Sequence, residues 1–142
     1  MVIFAVIAGV AGSVQVAVMA KLGDRVGVFG ALAWAAAITA LLALALLLVA
    51  KQSLSPFVEA ARQPVWLWSG AVMSVIIVLA ITVAGPRIGV IATVSVLLAG
   101  QFAAGAAIDH YGLLGVERAP ISWVRIFGIA LLAVGAVLTL KR

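Results

Sequence analysis

Five apolar runs, each with no Asp, Glu, Lys or Arg in its middle, decide what this chain can become. They occupy residues 2–20, 26–50, 65–84, 88–108 and 123–140. A helix rises about 1.5 Å per residue, so runs of this length cross a hydrocarbon core about 30 Å thick. Inside lipid every backbone N–H and C=O must be bonded within the protein, which leaves helices or a closed barrel. Barrel strands alternate apolar and polar side chains over about ten residues. The stretch 40–50, Ala-Leu-Leu-Ala-Leu-Ala-Leu-Leu-Leu-Val-Ala, has no alternation. The expected fold is therefore all-α, an integral membrane bundle of five transmembrane helices forming a single transmembrane domain over residues 1–142.

Composition excludes the other broad classes. With 67% hydrophobic and 9% charged residues, the chain has too little polar cover for a soluble surface. Its net charge of +5 is spread singly or in pairs at the ends of the runs and forms no stripe for nucleic acid. Without cysteine and with His110 as the one histidine, no disulfide, thiolate catalyst or intrachain metal cluster is expected, and no cofactor is implied. No nucleophile has a base beside it, so an enzyme is not expected. The first run has no basic leader and is about twice as long as a signal-peptide core, so it reads as a retained span.

The connections fall at 21–25, 51–64, 85–87 and 109–122. Gly85 and Pro86 are expected to break the chain and leave a tight turn between antiparallel helices. In residues 53–62, Leu54, Phe57, Val58 and Ala61 stand at helical spacing against Glu59 and Arg62. That stretch is either a short helix lying along the interface or a solvated loop. Trp66, Trp68 and Trp123 begin runs, where indole rings favour the headgroup level.

Five crossings put the termini on opposite sides. Lys51, Arg62, Arg118 and Arg125 then share the amino-terminal face, and Lys21, Arg25, Arg87, Lys141 and Arg142 the other. Orientation follows a Lys/Arg excess in short cytoplasmic loops, and here the faces differ by one residue. The chain is expected to insert both ways. Two opposed copies would form an antiparallel dimer of ten helices, with the inverted symmetry that serves alternating access. Insertion in one orientation, fixed by the translocon or a partner, is the alternative.

The polar residues left within the runs are the candidate site. Membrane-embedded carboxylates are what proton-coupled cation pumps use, and the centres of these runs hold none. Gln15 shares a helical face with Phe4, Ala8, Gly12 and Met19; Gln101 shares one with Thr93, Leu97, Gly105 and Ile108. Either these amides line a cavity and bind substrate, with Trp34, Thr93 and Ser74 nearby, or they glue helices together for about 0.6–2 kcal/mol each. Ser and Thr are weaker signals because they can bond their own preceding turn. Gly128 and Gly135 lie about two turns apart on one face, which suggests a dimer seam or close packing within one protomer. Asp109 and His110 stand at a helix exit and are expected to face water.

Several short stretches together resemble one family. They are Trp66-Leu-Trp-Ser-Gly, Pro86-Arg-Ile-Gly, Ala99-Gly-Gln, Asp109-His-Tyr-Gly-Leu-Leu-Gly, and Pro120 with Arg125 and Gly128. In this order and spacing they resemble the YdcZ family of short bacterial membrane proteins, over nearly the whole chain. That family is placed in the drug/metabolite transporter superfamily, beside small multidrug-resistance antiporters and ten-helix exporters of the EamA type. The resemblance implies a five-helix half-unit in the inner membrane, working as a pair of opposed copies or with a paralogous chain. The family's first helix usually carries a Gln and, four residues on, an Asn. This chain keeps Gln15 and has Met19 at the second place. The small multidrug-resistance proteins carry a glutamate at a place similar to Gln15, so proton exchange through that group is not expected here.

The expected function is secondary transport or export of a small neutral, zwitterionic or anionic molecule. The alternative is a non-transporting membrane partner or assembly subunit that uses the same glycine face. The expected partners are membrane lipids, a second copy in the opposite orientation or a paralogue, and the small-molecule substrate.

Overall fold

The structure, a computed structural model, describes residues 1–141. Arg142, counted above among the basic residues, lies outside the described residues. Regular structure among the described residues is entirely helical: α1 (Val2–Val26), α2 (Val28–Lys51), α3 (Ser55–Ala61), α4 (Ser69–Ile88), α5 (Val90–Tyr111) and α6 (Trp123–Leu140). Short 3-10 turns occupy Val65–Trp68 and Leu113–Gly115. Five segments, α1, α2, Val65–Ile88, α5 and α6, are long and apolar enough to cross a membrane, as the sequence implies. Their burial is slight: in the most apolar 18 residues of α2 none is buried, and in the others at most 11%. Such surfaces suit lipid or other membrane helices, not water.

The largest shifts from the expected boundaries are at the ends of α1 and α4. α1 does not stop at Lys21 but runs through Asp24 and Arg25 to Val26. Charged residues do not break a helix. A 25-residue helix is about 37 Å long and outreaches the lipid core, so its charged last turn can sit at the interface. The break comes at Gly27, the single residue before α2, with φ 79° and ψ 158°. A side chain there would be strained; glycine is not. In the same way, Gly85 and Pro86 do not end α4, which continues to Ile88. Proline removes the bond to the residue four places before it and crowds that residue's carbonyl, a disturbance that membrane helices tolerate. The chain turns at Gly89, with φ 84° and ψ 165°.

The two hinges share a sequence pattern. Gly23-Asp-Arg-Val-Gly-Val spans the first and Gly85-Pro-Arg-Ile-Gly-Val the second. Each hinge carbonyl accepts the first bond of the next helix, from the N–H of Ala31 to Gly27 at 3.0 Å and of Thr93 to Gly89 at 3.1 Å. Both residues that donate these bonds, Ala31 and Thr93, are buried.

By compactness the chain divides into two units, one of Met1–Ala17 with the residues from Arg87 onward, the other Val18–Pro86. In the second unit, Met19, Ala31, Ile81 and Thr82 are buried. There α1 and α4 approach closely: a Cβ placed on Gly23 would lie 2.7 Å from Cγ2 of Thr82. Thr82 turns its hydroxyl back to Val78 O at 2.7 Å. Between α2 and α4, the helical alternative for the amphipathic stretch is the one observed. Gln52 closes α2 in the left-handed conformation, and α3 starts with Pro56 in its first turn and leaves Phe57 and Val58 exposed. Trp66 and Trp68 follow in the 3-10 turn that opens the third span.

Candidate functional site

The site is built in the first unit, where α5 and α6 pack against one another. The connection between them is fastened to the end of α5, whose last carbonyls have no partner within the helix. Gly112 leaves α5 at φ 63°. The N–H of Ala119 then donates to Asp109 O at 2.8 Å, and Nε of Arg118 to His110 O at 2.9 Å. Nδ1 of His110 accepts from the N–H of Ile121 at 3.4 Å. Ser122 caps α6, its Oγ accepting from the N–H of Arg125 at 3.3 Å.

This strapping sets Arg125, in the first turn of α6, beside Asp109, in the last turn of α5. Nη1 of Arg125 and Oδ2 of Asp109 are 3.6 Å apart, with the side chains 55% and 42% exposed. Both charges oppose the dipole of their own helix, since a carboxylate is unfavourable near a C-terminus and a cation near an N-terminus. A half-exposed pair of this kind contributes about 0–1 kcal/mol to stability. At 3.6 Å the contact is too long for a hydrogen bond, so the donors and acceptors of both groups remain available.

A groove of about 550 Å³ runs from this pair along the seam. From α5 it is lined by Gln101, Phe102, Gly105, Ala106 and Asp109, which recur on one face at spacings of about four. From α6 come Arg125, Gly128, Ile129 and Leu132. Gly105 and Gly128 create the space: no atom lies within 4 Å of where a Cβ would stand on either.

Of the five residues that the sequence nominates for substrate, Gln101 alone lines this groove, and its side chain is exposed. Gln15 is also exposed and belongs to the same unit. Thr93 is buried and gives its hydroxyl to Gly89 O at 2.8 Å. Ser74 gives its own to Gly70 O at 3.0 Å. Ser74 and the exposed Trp34 belong to the Val18–Pro86 unit. Met19, at the place where the family resemblance implies an asparagine, is packed and 4% exposed. Of the two nominated glycines, Gly128 forms part of the groove, while Gly135 is half-buried with open space above it. Asp109 is less free than its place at a helix exit suggests, because it is paired. Nothing local in the sequence joins it to Arg125, sixteen residues on. The available signal was the sign of each charge against the helix end that bears it.

The sequence matches the family described as "Putative inner membrane exporter, YdcZ" over residues 1–138. The chain belongs to this family. With its five spanning helices, this YdcZ-family chain is a multi-pass protein of the inner membrane. No curated protein and no solved structure matches it.

Proposed function

We propose that the chain is a secondary transporter that exports a small neutral, zwitterionic or anionic molecule, working by alternating access as a pair of oppositely oriented copies. The observation that carries this reading is the open groove, with the amide of Gln101 exposed in it. An amide serving as interhelical glue is best placed in a dry contact. This one stands over a volume within the range of small-molecule sites, roughly 300–1,000 Å³. Membership of an exporter family supports the direction, and the near-equal Lys/Arg counts of the two faces support two orientations. The slight burial of the helices supports a second copy as their cover. Gly135, with open space above its Cα, offers a place where another backbone can come close. Gly135→Leu is expected to lower the dimeric fraction in detergent and in bilayers.

The deciding comparison is Gln101→Ala. Loss of an amide that faces a water-filled pathway should leave thermal unfolding in detergent within about 0.5 kcal/mol of the parent, the range of surface changes. Uptake or efflux by proteoliposomes, screened with a pool of metabolites, should fall about tenfold or more, the worth of one hydrogen bond to a buried ligand group. A variant that unfolds much more easily while its folded fraction transports normally would return Gln101 to a structural role.

A further inference from the structure

The groove has different chemistry at its two ends, and the difference narrows the class of ligand. Gln101 and Asp109 are eight residues apart on α5, which places them about 12 Å apart along the axis. Between them the walls are apolar, with Phe102 on one side and Ile129 and Leu132 on the other. The far end carries both signs of charge within 3.6 Å. We propose that this groove binds an amphipathic zwitterion, with an ammonium and a carboxylate on neighbouring atoms at one end and an apolar body at the other. The inference rests on the transport reading above and selects the zwitterion among its three substrate classes.

Three observations support this choice. The charged end is neutral as a whole, so a ligand of net charge would leave one member of the pair opposed, whereas a zwitterion satisfies both. Its carboxylate meets the Arg125 guanidinium and its ammonium the Asp109 carboxylate, forming a ring of alternating charges. Neither protein group must first break a hydrogen bond to the other, because at 3.6 Å none is formed. Finally, both charges stand at helix ends that disfavour them, so helix stability does not account for their position. The apolar walls then take the body of the ligand, while the missing side chains of Gly105 and Gly128 leave room for it. The alternative occupants are a lipid acyl chain and a helix of the second copy.

The test measures binding to the full-length protein in nanodiscs by calorimetry and thermal unfolding, with three probes of one shape. Phenylalanine carries both charges, phenethylamine only the ammonium, and 3-phenylpropionate only the carboxylate. Phenylalanine is expected to bind the parent about tenfold or more tightly than either analogue, the difference made by one charged hydrogen bond. Asp109→Asn should abolish that advantage over 3-phenylpropionate, and Arg125→Gln the advantage over phenethylamine. Equal binding of a singly charged analogue to the parent overturns the zwitterion assignment, a result that needs no variant to fold. So does a groove that takes none of the three but holds a co-purified lipid, or that forms a disulfide with a second copy in the variant Phe102→Cys. If the proteoliposomes still transport another solute in these cases, the transport reading stands and the ligand class alone is wrong.

Discussion

The two hinges, at Gly27 and at Gly89, are built from the same residues yet differ in the turn that precedes them. Before Gly27 the helix keeps its bonding to the end, with the N–H of Gly27 donating to Gly23 O at 2.9 Å. Before Gly89 the helix contains Pro86, which has no N–H for Thr82, the residue four places back. The Thr82 carbonyl, to which Pro86 cannot donate, is 3.7 Å from the position of a Cβ on Gly23. Proline and aspartate therefore occupy equivalent places, and the chain turns three residues later in both cases. The helix is interrupted at the glycine in both cases, whereas the residues that most resemble helix breakers lie inside it.

The largest expected effect tests that statement directly. Gly27→Ala and Gly89→Ala each place a Cβ in a conformation that side chains avoid, and each should destabilise the fold by about 1–3 kcal/mol. Thermal or denaturant unfolding in detergent measures both, and equivalent hinges should lose similar amounts. A large loss at one and none at the other would mean that only one turn is constrained by its neighbours. A smaller effect, about 1 kcal/mol, is expected for Gly23→Ala, which crowds the Thr82 methyl. Thr82→Ser removes that methyl and keeps the hydroxyl bond to Val78. The double variant should therefore be more stable than the sum of the single losses predicts. Simple additivity would show that the close approach of α1 and α4 is not what glycine serves there. The smallest effect belongs to Pro86→Ala. Restoring one backbone bond should stabilise α4 by about 0.5 kcal/mol and leave the turn at Gly89. Lost folding in this variant would show that the hinges need different preceding turns.

What could be read from the sequence follows from which forces act locally. The spans were legible because lipid imposes both length and apolarity on each segment separately, and α6 has the limits expected from its run. The hinges were not, because Lys21 to Arg25 and Gly85 with Pro86 look like ends, while the strain that matters resides in one φ angle each. Gln101 was legible as an amide with no reason to be in an apolar run. Its neighbours in the groove were not, since Asp109 and Arg125 meet only after residues 112–122 fold back on the carbonyls of α5. Thr93 and Ser74 behave as short hydroxyl side chains in lipid commonly do, bonding to their own preceding turn.

The single-residue hinges also give the two membrane faces unequal vulnerability to cleavage. Five crossings would put Gly27 and Gly89 on one face, where consecutive spans are joined by one residue each, and a protease needs an extended segment several residues long. The opposite face carries the chain between α2 and α4 and the exposed connection of residues 113–118. A protease confined to one side of a sealed vesicle should therefore cut only the copies whose looped face it can reach. If the chain inserts both ways, as proposed above, the intact fraction would count the opposed population.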